Sequence, residues 1–146
     1  MKNIILLTFI FALLHTSCVS NDDENYIQNK TINARGAWNL TKVSGGIIGQ
    51  NENYESKVIT WSFNVKNSIL TIENNNKSNA EAKLFYDGLP TGKYHFNITE
   101  IKNNYFLFIE GNEFGLYKTK GNKLTIDQGI TTNGVLSDAY ILEFNR

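Results

Sequence analysis

Cysteine occurs once in the chain, so no disulfide can close within it and no cysteine-rich zinc cluster can be built. Histidine occurs twice, as His15 and His95. A Ser-His-Asp arrangement would have to recruit Ser44 or Ser62 to His95, and no motif places them together. Charge of neither sign is in excess, with 14 basic and 14 acidic residues, which argues against nucleic acid or an anionic membrane surface as partner. The glycine-rich Gly45-Gly46-Ile47-Ile48-Gly49 lacks the lysine and the following helix of a phosphate loop. Asp127 is not followed by the spaced carboxylates of a calcium loop, and no motif marks a carboxylate pair for glycoside hydrolysis. Neither a metal, nor a cofactor, nor an enzymatic activity is expected. Long apolar runs are also missing. The longest, Ile4 to Leu14, is broken by Thr8 and falls short of the ~20 residues that a spanning helix needs.

That short run has instead the length of a signal-peptide core, and Lys2 supplies the basic start before it. His15-Thr16-Ser17-Cys18 follows. Small residues before a cysteine at this place resemble the lipobox of bacterial lipoproteins, with His15 standing where leucine is usual. The resemblance implies that residues 1–17 are removed, that Cys18 becomes the first residue, and that it carries acyl chains such as palmitate. An ordinary secretory cleavage after Ser20 would instead remove Cys18. Val19-Ser20-Asn21-Asp22-Asp23-Glu24-Asn25 is polar and acidic with little to bury, so 18–33 reads as a lipidated cysteine and tether. Acidic residues just after the cysteine resemble the export signal of outer-membrane lipoproteins that face the cell surface. Anchoring of this kind holds a domain at a membrane without inserting it.

From Ala34 to Arg146 the pattern changes to period two, the signature of half-buried strands. Trp38 and Leu40 alternate with Asn39 and Thr41. Ile59, Trp61, Phe63 and Val65 share one face of a strand, as do Tyr94, Phe96 and Ile98. Ser68–Asn74, Phe114–Lys118, Lys123–Asp127 and Ala139–Asn145 supply further strands. Tyr105 to Ile109 is apolar throughout, so both of its faces should meet something, and one face is open to a partner in the second of the two functions below. Turn residues such as Gly45-Gly46, Asn103-Asn104, Gly111-Asn112, Gly121-Asn122 and Asn133-Gly134 punctuate the set. About eight short strands at this spacing predict an all-β antiparallel meander, closed as a barrel or folded as a sandwich. Ser78-Asn79-Ala80-Glu81 fits either a capping box or an irregular strand.

Gly36-Ala37-Trp38 opens the first strand, and Gly111-Asn112-Glu113-Phe114-Gly115, Leu124-Thr125-Ile126-Asp127 and a close on Phe144-Asn145-Arg146 follow in order. Together these pieces resemble the lipocalin-like domains of small bacterial lipoproteins. The resemblance implies a shortened barrel without the C-terminal helix of lipocalins. It also implies that Trp38 packs across one end with Arg146, the only candidate for the family's late arginine, lying over it. A small apolar ligand in the barrel would meet Trp61, Phe63, Tyr94, Phe96, Phe108 and Tyr140. The same rings can equally fill a core, because an eight-stranded barrel is just wide enough for either. Two functions follow: a membrane-anchored binder of a small apolar molecule, or a surface interaction and structural domain with a packed core.

Overall fold

The structure, a computed structural model, describes residues 34–77 and 85–146. The signal and tether expectations at 1–33, Cys18 included, and the choice at Ser78–Glu81 fall outside the described residues. The described chain is all-β. Its strands are β1 (Gly36–Gly45), β2 (Gln50–Asn53), β3 (Ile59–Asn64), β4 (Ile69–Asn74), β5 (Gly92–Ile101), β6 (Asn104–Ile109), β7 (Asn112–Lys120), β8 (Lys123–Asp127), β9 (Ile130–Thr131), β10 (Gly134–Val135) and β11 (Tyr140–Asn145).

The strands pair antiparallel in the order β11-β8-β7-β6-β5-β4-β3-β1, and β1 returns to β11 to close an eight-stranded barrel. Closure pairs edges that an open sheet would leave as templates for aggregation. The register at the seam runs from Asn39 opposite Asn145 to Gly45 opposite Tyr140, with one irregularity between Leu40 and Lys42. That irregularity lets Leu40 and Val43 both turn inward although they are three residues apart. β2 runs on from β3 along the same neighbour, β1.

Alternation does what the sequence suggests along most of the meander. Ile59, Trp61 and Phe63 are buried on β3, Leu70 and Ile72 on β4, Leu124 and Ile126 on β8, Leu142 and Phe144 on β11. Val65 is the exception. Asn64 accepts a hydrogen bond from the Asn67 amide at 3.2 Å, and a 3-10 turn over Val65–Asn67 breaks the strand before Val65. Val65 is therefore exposed rather than on the core face.

The inner face of β6 is covered along its length, and the outer face is covered at Phe106. Tyr105, Leu107 and Ile109 belong to the barrel core. Phe106 points outward opposite Leu116 of β7, and these two are only 4% and 3% exposed although neither belongs to the core cluster. The β9–β10 hairpin folds back against β7 on this outer face. It is pinned where the Thr132 amide and hydroxyl each donate to the Glu113 carboxylate at 2.7 Å. The face of β6 that the sequence left open to a partner is thus covered by the chain's own hairpin around Phe106.

Two ends follow from the topology. The first gathers the start of β1, the β3–β4 turn, the Gly121-Asn122 turn and Arg146. The second gathers the β1–β2 turn, segment 85–91 and the 128–139 connection.

Candidate functional site

The interior is where a ligand would sit, and it is occupied by aromatic side chains. Trp61 is 0% exposed, Phe63 3% and Phe96 7%. Phe63 meets Phe96 edge-on with ring centroids 5.1 Å apart. Trp61 sits 5.2 Å from Phe144 and 5.6 Å from Phe114. These are the separations at which tilted rings gain beyond simple burial. Trp61, Phe63 and Phe96, three of the ring residues expected at a ligand, are thus brought together as core.

The remaining three are placed differently. Tyr94 is half-buried at the second end and donates its hydroxyl to the Pro90 carbonyl at 2.9 Å. Tyr140 is half-buried and stacks on Tyr86, with centroids 4.4 Å apart and planes 27° from parallel. Phe108 does not line the interior. It lies opposite Asn97, whose neighbours Phe96 and Ile98 take the inward positions of β5, so Phe108 is on the outer face. It borders a shallow groove of about 230 Å³ with His95, Asn97 and Gly111.

The first end is built around Trp38. Its indole is fully buried and faces Trp61 across the β1–β3 pairing, and its Nε1 donates to the Ala34 carbonyl at 3.1 Å. The guanidinium of Arg146 lies 4.4 Å from the centroid of the Trp38 ring. It is fixed there by Nη1 donating to the Arg35 carbonyl and by its own amide donating to the Asn122 carbonyl, each at 3.2 Å. Gly36 has φ +100°, a conformation that side chains resist, and this bend carries the entering chain back so that Ala34 and Arg35 can make both bonds.

The second end is closed by segment 85–91. The Gly88 backbone lies against the Trp61 and Leu142 side chains, with no room to spare for a Cβ beside Trp61. Gln50, 4% exposed, grips Tyr86 twice, donating to its carbonyl at 2.6 Å and accepting from its amide at 2.8 Å. Gln128 donates to the Tyr86 hydroxyl at 2.9 Å. Asp87 is 2% exposed and accepts from Asn76 Nδ2 at 3.2 Å. No periodicity marks Gln50, Tyr86, Asp87 or Gln128, and only the fold unites them.

Burial pushes the Tyr86 phenol up to about 12, with the Gln128 donor opposing and the Asp87 charge adding to the rise. Burial, then the charges of Asp87 and Glu52, push Tyr54 up to about 12. A phenol whose folded pKa exceeds its unfolded value of 10 stabilises the fold fully below pH 10 and loses that contribution as pH rises toward 12. Urea unfolding should therefore show level stability up to about pH 10 and a fall above it. The fall should be smaller in Tyr86→Phe. An unchanged midpoint across this range would show that segment 85–91 does not hold Tyr86 in place.

His95 is exposed and offers its backbone amide, not its ring, to Glu110 Oε1 at 2.6 Å. Among the described residues no group of three or more His, Cys, Asp or Glu could hold a metal ion. Trp61 Nε1 and the Tyr117 hydroxyl are buried without hydrogen-bond partners, and burial raises the Tyr117 pKa well above its ordinary value. A groove of about 350 Å³ lies on the outer face between the β9–β10 hairpin and β6, lined by Lys102, Phe106 and Thr132 among others. No protein-family description, no curated protein and no solved structure matches the chain.

Proposed function

We propose that the chain is an exported lipoprotein, held at the outer membrane and facing the cell surface through acylated Cys18, whose barrel is a rigid surface module without an interior ligand and without catalysis. One observation carries the choice over a small-molecule carrier: Trp61, Phe63 and Phe96, where a ligand would sit, are at most 7% exposed and pack on one another. A barrel of eight strands encloses about the volume that its own side chains can fill, so rings of this bulk leave the interior to themselves. Segment 85–91 at one end and Trp38 with Arg146 at the other support the same reading, since a carrier needs a way in. The module then works through what it displays, namely its loops and its outer face. The test is native mass spectrometry of protein purified without denaturant, alongside titration with an apolar fluorescent probe. The expected result is a mass accounted for by polypeptide and acyl groups, with no saturable probe binding. A stoichiometric apolar molecule that leaves only on unfolding would overturn the proposal in favour of a carrier.

A further inference from the structure

The side chains most at odds with burial rules stand on two loops. Ile47 is 85% exposed and Ile48 64% in the turn after β1, while Val135 is 83% and Leu136 57% exposed on the β9–β10 hairpin and just beyond it. Val65, the remaining large apolar side chain exposed among the described residues, lies in the β3–β4 turn at the first end. The bases of the two loops meet at the second end. Gly45 lies opposite Tyr140, the Gly46 amide donates to the Ala139 carbonyl at 3.0 Å, and the Leu136 amide donates to the Gly129 carbonyl at 2.7 Å. The residues around them are nearly uncharged: none of 45–51 carries a formal charge, and of 131–139 only Asp138 does.

We propose that Ile47-Ile48 and Val135-Leu136 insert together into the interfacial layer of the bilayer, giving the barrel a second point of membrane contact. This rests on the reading that Cys18 is the anchor. Exposed aliphatic pairs on loops that meet at their bases mark a contact surface. Two considerations select lipid over protein. A specific protein interface takes roughly 20–30 residues a side, and two aliphatic pairs are far too few to hold a second copy or another folded partner. A bilayer asks for no complementary shape, and loops with so little charge enter it without desolvating ions. The absence of lysine and arginine from both loops makes the contact apolar and indifferent to anionic lipid.

Reach allows it. Residues 18–33, if fully extended, span at most about 53–58 Å at ~3.3–3.6 Å each. β1, whose start marks the first end, rises only about 33 Å over its ten residues. A chain entering at the first end can therefore leave the second end free to turn onto the same membrane. Tethering makes that contact intramolecular, so weak insertion suffices.

The test uses the acylated protein in phosphatidylcholine vesicles. Nitroxide labels are placed singly by Ile47→Cys, Val135→Cys and, as a control near the first end, Lys120→Cys; acylation keeps Cys18 out of the labelling. The labels at 47 and 135 should collide more with lipid-soluble oxygen than with a water-soluble nickel chelate, and the label at 120 should show the reverse. The Cys18→Ala protein in large lipid excess should show the same ordering, in a bound fraction that falls on dilution. That arm tests the loops whatever the state of Cys18, while the intact mass of the natural protein tests the anchor alone. Labels at 47 and 135 as open to nickel as the label at 120, in both proteins, would overturn the inference. So would dipolar broadening between copies without oxygen access, which would mean contact with a second chain.

Discussion

Trp38→Ala should cost about 3–5 kcal/mol of folding stability, the range for deleting a fully buried large ring. The indole is fully buried at the first end of the barrel, sits opposite Trp61, and ties Ala34 down through its Nε1, so its loss removes core volume and a hydrogen bond together. Arg146→Ala should be mild, about 0.5–1 kcal/mol, because its guanidinium is exposed on the side away from the ring. The informative quantity is the double mutant. With the ring gone, Arg146 has nothing to lie on, so the two changes should sum to more than the double mutant costs. Urea unfolding of the four proteins gives the coupling directly. Strict additivity would mean that the 4.4 Å contact carries no energy and that Arg146 is merely near Trp38.

Gly115→Ala should also cost much of the folding stability, about 2–6 kcal/mol. Gly115 has φ +142°, and a Cβ there would fall 2.5 Å from the Asp127 carbonyl oxygen and 2.9 Å from the Gln128 Cα, both backbone atoms that cannot step aside. Strain of that conformation costs about 1–3 kcal/mol, and overpacking adds a similar amount. The position matters beyond its own space. The β6–β7 register shifts between Leu107, opposite Gly115, and Phe108, opposite Glu113. The extra residue, Phe114, thereby reaches Trp61, while Glu113 is sent outward to hold Thr132 of the β9–β10 hairpin. Gly115→Ala should therefore lower the thermal midpoint and also raise amide exchange at Thr132. A midpoint within error of the natural protein would show that the bulge relaxes freely and fixes neither residue.

The barrel strands were legible because most carry a period-two run and all are bounded by turn residues, and those signals need no tertiary information. Closure was half legible. Periodicity left barrel and sandwich open, the resemblance to lipocalin-like domains implied the barrel, and the pairing of β1 with β11 closes it. The misreadings have physical causes. In Tyr105–Ile109 both phases of the alternation are apolar, so periodicity cannot say which face is inside. Ring size favoured Phe108, yet its register against Asn97 sends it out and brings Leu107 and Ile109 in. Val65 continued the pattern of Ile59, Trp61 and Phe63, but a side-chain cap from Asn64 ended the strand one residue earlier. β9 and β10 are two residues each, too short for any period to mark them. The grip of Gln50 on Tyr86 joins residues 36 apart in the chain through hydrogen bonds that leave no mark on composition.

Space inside the barrel is what separates a packed module from a carrier, and dissolved xenon observed by NMR reads it most directly. Small apolar cavities take up xenon, whereas an interior closed on its own side chains does not. The natural protein is predicted to show no saturable xenon site, and Phe63→Ala, which empties the centre of the ring cluster, is predicted to gain one. A saturable site in the natural protein, with ring-proton shifts at Trp61, Phe63 and Phe96, would contradict the account.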